Sequence, residues 1–234
     1  MRRIKYPMFA LAALISIFCM REGRAQEKPR KPLVSSVKPI EAKDFSGLIG
    51  MPGFSDTLLE NHFRLYQGYV KNTNALLERL IALLAEKKDR TAEYAELKRR
   101  LGWEFNGVLL HEYYFANLGG DGIIDAKSAL YKKIAGDFGG FDKWEQDFIS
   151  TAMMRGIGWV VLYEEPRSGK LVNAWINEHD SGHIAGSHLL LVIDVFEHAF
   201  MPDYQLDREK YIESFFKNIN WKAVQDRSGK LTKK

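Results

Sequence analysis

Two long stretches of the chain repeat apolar residues at three- and four-residue steps. One covers residues 56–86, and a polar connection separates it from a second stretch at roughly 91–117. This spacing predicts amphipathic helices. Gly119 and Gly120 follow the second stretch, and glycine commonly ends a helix. Two long helices joined by a short connection predict an antiparallel helical hairpin.

After Gly120 the helical spacing gives way to short helices and strand-like runs. Residues 166–169 contain proline and glycine and are predicted to be the turn between the first two strands. Two short helices are predicted at residues 126–135 and 141–154. Three strands are predicted at 159–164, 170–177 and 189–195, and a last helix at 207–227. The expected fold class is α+β: an N-terminal helical hairpin followed by an α/β C-terminal domain with a three-stranded antiparallel sheet.

The first 25 residues are predicted to be a secretory signal peptide. Arg2 and Arg3 form a basic start, and an apolar run follows at residues 8–20. The run is shorter than the ~20 residues of a membrane-spanning helix, and an uncleaved anchor is the alternative. We expect cleavage after Ala25 and export to the periplasm or the medium, with no membrane contact afterwards.

Charge and cysteine content narrow the range of functions. The net charge of +4 lies wholly in the first 25 residues, so the rest of the chain is neutral and nucleic acid is not an expected partner. The single cysteine, Cys19, also lies there, so a metal site in the mature chain must use nitrogen and oxygen ligands. The chain is expected to consist of a signal peptide (residues 1–25), an extended lead-in (26–50), a helical-hairpin domain (51–120), an α+β domain (121–227) and a tail (228–234).

Three histidines and one aspartate are candidate metal ligands. His62 lies on the apolar face of the first predicted helix, His111 precedes an aromatic run, and His198 follows the third strand. Taken singly, each is more readily explained as a hydrogen-bonded core histidine. Asp194 is harder to explain, because it ends a buried apolar run and an unpaired buried carboxylate is costly. Such a donor set favours Zn, Fe or Mn over Ca or Mg.

Residues 194–199 read Asp-Val-Phe-Glu-His-Ala, which resembles the Asp-x-Trp-Glu-His-Ala signature of the iron/manganese superoxide dismutases. Further stretches resemble this family in collinear order, and they are residues 69–74, 111–115, 138–141, 156–160 and 220–224. An ordered series of this kind is far more specific than any single motif.

The resemblance implies a superoxide dismutase, which converts superoxide to oxygen and hydrogen peroxide. It implies one Fe or Mn per subunit and a homodimer or tetramer. The implied metal ligands are His62, His111, Asp194 and His198. Tyr69 would lie in the substrate channel, and Glu197 would pair with the partner's His198 across the dimer interface.

The chain departs from the family pattern in its first helix. His62 and Tyr69 are seven positions apart where the family has eight, which is expected to leave a regular helix with both residues on one face. A gap-free match would instead put Asn61 at the ligand position. Leu65 and Tyr66 stand where the family has a channel histidine, so proton delivery is expected to differ.

Other departures affect the surroundings of the expected metal. Phe115 and Phe196 replace two tryptophans, so the rings remain without their indole donors. His179 stands where the family has a glutamine that hydrogen-bonds the metal-bound solvent, and Gly107 fills the other position that can supply it. We expect His179 to take that role, which favours iron, although a plain loop histidine is the alternative. Trp159 resembles a residue that lines the metal cavity.

The other residues of chemical interest have simpler interpretations. His183 and His188 are expected at the surface or in loops. Core positions are expected for Trp103, Trp144, Trp175 and Trp221. The main alternative function is a metal-binding or scaffold protein of the same fold without dismutase activity, and a zinc hydrolase on the same site is a third. Retention of the complete ligand set argues against the scaffold.

Overall fold

The computed structural model describes residues 38–229, so the predicted signal peptide, the start of the lead-in and most of the tail lie outside the described residues. The helices there are α1 Asp56–Ala85, α2 Ala92–Ala116, α3 Ala129–Phe138, α4 Phe141–Ala152, α5 Met201–Tyr204, α6 Arg208–Lys217 and α7 Trp221–Gly229. The strands are β1 Gly158–Glu164, β2 Leu171–Asn177 and β3 His188–Asp194, and short 3-10 helices lie at Ser46–Leu48 and Glu197–Ala199. The expected α+β order is confirmed.

The helical hairpin starts from a side-chain cap and keeps one apolar stripe inside. The Ser55 hydroxyl accepts from the backbone N–H of Leu58, which fixes the start of α1. The helix then runs without interruption, and His62 and Tyr66 are both buried against α2. Leu65 is 40% exposed, because it lies at the edge of that stripe.

The sheet has the strand order β2-β1-β3, with both neighbouring pairs antiparallel. The central strand β1 is buried along nearly its whole length, as expected for a strand covered on both faces. In the register, Trp159 lies opposite Asp194. The first residues of β1 and the last residues of β3 therefore share one end of the sheet, where α2 packs against β3.

The last helical segment differs from its prediction. Residues 207–227 were expected to form one helix, but they form α6 and α7 with a break at Asn218. The Asn218 side-chain amide donates to the Pro52 carbonyl oxygen at 2.9 Å, and the Asn220 N–H donates to the Asn117 carbonyl oxygen at 2.6 Å. The Asn220 N–H is thereby used outside the helix, and both partners are too distant in sequence to be visible in a local pattern.

Two smaller differences concern α3 and the lead-in. The Ser128 hydroxyl caps α3 by accepting from the Tyr131 N–H, so the helix begins three residues later than predicted. The described end of the lead-in is docked on α1, since the backbone of Ile40 makes two hydrogen bonds with the Asn74 side chain. Within residues 38–229, every helix is too short or too polar to cross a membrane.

Candidate metal centre

Four side chains meet between the helical hairpin and one end of the sheet. His62 comes from α1, His111 from α2, Asp194 from the end of β3 and His198 from the 3-10 helix that follows. One ligand atom of each lies within 4.8 Å of those of the others. The Nε2 atoms of His62, His198 and His111 lie 3.1, 3.3 and 3.8 Å from Oδ2 of Asp194. The predicted ligand set is therefore gathered around one carboxylate oxygen.

Backbone groups orient the Asp194 side chain. Its Oδ1 accepts from the N–H of Phe196 at 2.8 Å, which leaves Oδ2 for the histidines. The Tyr211 hydroxyl donates to the Asp194 carbonyl oxygen at 2.6 Å and ties this end of β3 to α6. The 3-10 helix Glu197–Ala199 then turns the chain, so that His198 reaches back to the carboxylate four residues earlier.

The hydrogen bonding of His111 is that of a metal ligand. Its Nδ1 lies 2.6 Å from the carbonyl oxygen of Gly107. A carbonyl oxygen can only accept, so Nδ1 carries the proton and Nε2 has a lone pair. This Nε2 is buried and has no hydrogen-bond partner among the described residues. A metal ion beside the Asp194 carboxylate would satisfy it, so the donor set fits Fe or Mn.

Burial favours the neutral imidazoles of His62 and His111, while the neighbouring histidines favour the ionised carboxylate of Asp194. Burial lowers the pKa of His62 and, together with the neighbouring His62, lowers the pKa of His111 well below its ordinary value. Burial alone would raise the pKa of Asp194, but the charge and hydrogen bond of His198 and the hydrogen bond from His62 outweigh it and lower that pKa. These are the protonation states in which both groups bind metal ions.

A hydrogen-bonded pair of Tyr69 and His179 adjoins the four candidate ligands. The Trp159 indole N–H lies 3.0 Å from Nδ1 of His179, and Nε2 of His179 lies 2.8 Å from the Tyr69 hydroxyl oxygen. An indole N–H only donates, so Nδ1 accepts and the proton of neutral His179 resides on Nε2, facing Tyr69. Burial lowers the pKa of His179 to about 4 and raises the pKa of Tyr69.

Aromatic rings enclose both groups of side chains. The Phe115 ring packs in a T-shaped arrangement on His62, and the Trp159 ring does the same on His111. The ring centroids are 4.9 Å apart in each pair. Phe196 stacks on His179, also at 4.9 Å. All three predicted aromatic residues therefore line the site, which excludes much of the water from it.

Trp103 is a residue of the site that the sequence interpretation missed. It was expected in the core, but it is half-buried, and its ring centroid lies 4.5 Å from that of His179. The Arg100 guanidinium lies 3.6 Å from its ring centroid. The signal was available in the spacing, because Trp103 precedes His111 by about two turns of α2 and shares its face.

Three of the other named residues lie outside these groups. Glu197 is exposed next to His198, and His188 is exposed at the start of β3, as expected for a surface residue. His183 lies in a loop, as expected, but it is half-buried and hydrogen-bonded on both sides of its ring.

These features define a class of protein. It is an α+β metalloprotein with one mononuclear site of three imidazoles and one carboxylate, flanked by a hydrogen-bonded tyrosine–histidine pair. Such a set of ligands suits the redox metals Fe and Mn.

Comparison with known proteins identifies the family. The protein-family model for the C-terminal domain of iron/manganese superoxide dismutases matches residues 126–227. An iron superoxide dismutase of Aquifex pyrophilus is 37% identical over 202 residues, which cover 84% of this chain and 94% of the relative. One of Cupriavidus metallidurans is 36% identical over 183 residues, covering 76% and 89%. A manganese superoxide dismutase of Haloferax volcanii is 32% identical over 173 residues, covering 73% and 84%. The chain belongs to the iron/manganese superoxide dismutase family of oxidoreductases, as the sequence resemblance indicated.

Proposed function

We propose that this protein is a superoxide dismutase that converts superoxide to oxygen and hydrogen peroxide with one bound Fe or Mn. The observation that carries the proposal is the convergence of His62, His111, Asp194 and His198, with an unpaired ligand nitrogen on His111. Family membership supports it, because relatives named for iron and for manganese both match most of the chain.

In this proposal the four converging residues hold the ion and set its charge. These residues would hold an Fe or Mn ion, which would supply one-electron redox chemistry toward superoxide. One carboxylate and three neutral imidazoles would leave a bound divalent or trivalent ion with a net positive charge, which would attract the superoxide anion. The surrounding aromatic rings exclude water, and the low local dielectric strengthens that attraction.

Tyr69 and His179 are proposed to manage the protons that peroxide formation consumes. The Tyr69 hydroxyl accepts from His179, so its own proton remains available to a partner on the metal side. Leu65 and Tyr66 replace the channel histidine of the family, and Tyr66 donates to Glu112 instead. The Tyr69–His179 pair is therefore the proposed proton-holding group of this site.

Iron is the proposed metal, and the preference for iron over manganese is based on His179. Hydrogen bonds around a metal site tune its reduction potential. The imidazole that replaces glutamine commits its only donor to Tyr69, so the expected hydrogen bond from His179 to metal-bound solvent is not available. Metal content after growth with both metals supplied would test this choice, and a protein loaded mainly with manganese would refute it.

Dimerisation and export are also proposed. Glu197 is exposed and the His198 side chain is 25% exposed, so both could meet a second copy of the chain. Light scattering of Glu197→Ala should then show a weakened dimer.

Export rests on residues 1–25, and N-terminal sequencing of the protein purified from its native compartment should begin at Gln26.

The proposed activity is tested by metal analysis and superoxide consumption on the purified protein. The wild type should hold close to one Fe or Mn and consume superoxide. His111→Ala should lose the metal, because it removes the buried nitrogen that faces Asp194. His188→Ala is the matched control, since this histidine is exposed, and it should behave as the wild type.

Each other outcome points to a named alternative. Metal bound without superoxide turnover would favour a metal-binding or scaffold protein, and redox-silent zinc would favour a hydrolase. Full metal occupancy in His111→Ala would contradict the ligand assignment itself.

A further inference from the structure

His179 lies on an irregular segment, residues 178–187, between β2 and β3. The segment starts with Glu178 in the left-handed region at φ +49, which a non-glycine residue adopts only at some cost. Its first turn is closed by the Asn177 N–H, which donates to the Ser181 carbonyl oxygen at 2.7 Å. A side chain on such a segment needs additional contacts to keep a fixed position.

His183 supplies contacts of this kind one turn further along the segment. Its Nε2 lies 2.9 Å from the carbonyl oxygen of His179, and its Nδ1 lies 2.8 Å from the hydroxyl of the buried Tyr163 on β1. The side-chain amide of Asn106 on α2 lies 3.3 Å from the same Nε2. One half-buried imidazole thus joins the segment to the sheet and to the helix that carries His111.

The hydrogen bonds fix the form of this imidazole. The His179 carbonyl oxygen only accepts, so Nε2 of His183 carries the proton. Burial raises the pKa of Tyr163, so its hydroxyl keeps its proton and donates to Nδ1. Asn106 has its side-chain Nδ2 3.3 Å from this Nε2, and two donors cannot bond, so the amide takes the flipped orientation with its oxygen towards Nε2. Both ring nitrogens of His183 are therefore used in hydrogen bonds within the protein.

We propose that His183 is a positioning residue for His179: it holds the backbone of His179 so that the ring meets Trp159 and Tyr69 together. This inference rests on the proposed dismutase function, in which His179 tunes the metal and orders the proton on Tyr69. The His179 ring has hydrogen bonds of 3.0 and 2.8 Å on its two sides, so a small backbone shift would lengthen one of them.

The test compares His183→Ala and His183→Gln with the wild type in the metal-loaded, full-length protein. The glutamine side chain can place an N–H donor near the position of Nε2, and it is the conservative rescue. His188→Ala is the control, an exposed histidine close to the same segment. The readouts are the absorption spectrum and reduction potential of the metal, superoxide turnover and the thermal midpoint of unfolding.

We expect His183→Ala to shift the spectrum and potential and to lower turnover by ~10-fold or more, and His183→Gln to recover most of both. If His183→Ala does not fold, Tyr163→Phe removes the hydroxyl donor while keeping the buried ring, and it should shift the spectrum in the same direction. A lower unfolding midpoint with an unchanged spectrum, potential and turnover would overturn the proposal, as would a His183→Gln variant no better than alanine.

Failure of the proposed function would be recognised separately. If the wild type binds metal but does not consume superoxide, the dismutase proposal fails, while the spectrum and potential of the variants still report whether His183 positions His179.

Discussion

Replacing Gly107 with alanine should disturb the Tyr69–His179 pair without removing any hydrogen-bonding group. Gly107 is buried in α2 under the ring of Tyr69, and its carbonyl oxygen accepts from His111. A Cβ atom built on Gly107 would lie 2.6 Å from Cδ1 of Tyr69 and 2.9 Å from Cε1 and Cγ. The tyrosine ring therefore occupies the space that any side chain at position 107 would need.

The size of the disturbance follows from these distances. Ordinary carbon contacts begin near 3.4 Å, so the ring and the helix must separate by about 0.8 Å, the difference between 3.4 and 2.6 Å. A shift of that size along the bond from Tyr69 to His179 would lengthen it from 2.8 to about 3.6 Å, which is too long for a hydrogen bond. Overpacking of this kind costs ~1–3 kcal/mol, and loss of an outer contact of a metal site lowers activity ~10–100-fold.

Denaturant unfolding and superoxide turnover would both be measured for Gly107→Ala. Gly102→Ala is a matched control, because Gly102 lies in the same helix and a Cβ there meets nothing within 4 Å. The control should gain up to ~1 kcal/mol from helix propensity and keep wild-type turnover. If Gly107→Ala equals Gly102→Ala in both measurements, the contact with Tyr69 does not hold the ring in place and the reasoning is refuted.

Two further results are expected. Trp159→Phe should change the metal spectrum and lower turnover by ~10-fold, because the His179 proton can then occupy either ring nitrogen; an unchanged spectrum would refute the assigned tautomer. The metal-free protein should be stable above ~pH 6.5 and lose stability below it. Burial lowers the pKa of His62 and His111 in the folded state, so unfolding takes up protons there, at up to ~1.4 kcal/mol per pH unit for each histidine. Denaturant titrations from about pH 8 to pH 5 would measure this, and a flat profile would contradict it.

Local patterns were sufficient to predict most of the fold. The helices α1 and α2 end within one residue of their predicted limits, and so do the three strands. Capping residues and apolar periodicity act over a few positions, and the sequence displays both directly. Trp144 and Trp221 are buried as predicted, while Trp175 is half-buried.

The differences arise where a distant partner decides the local structure. At the break between α6 and α7, the backbone N–H of Asn220 bonds to Asn117, which is distant in sequence. Trp103 lies at the site because His179 and its segment pack beside it; spacing along α2 places it on the side of His111, but the contact with His179 is not visible in that spacing. The four ligand candidates could be predicted from their places in apolar runs together with the collinear family resemblance, whereas the close approach of Tyr69 to Gly107 requires three-dimensional packing.

His179 and the glutamine of the family differ in the number of hydrogen bonds they offer. A glutamine amide has two N–H donors and an acceptor oxygen, whereas a neutral imidazole has one donor and one acceptor. Trp159 uses the acceptor of His179 and Tyr69 uses its donor, so His179 has no polar atom left for a third partner. Tyr69 accepts that hydrogen bond and retains its own proton to donate. Within the Tyr69–His179 pair, the tyrosine hydroxyl is therefore the group with a proton left to donate, and Trp159 determines this by fixing which nitrogen of His179 is protonated.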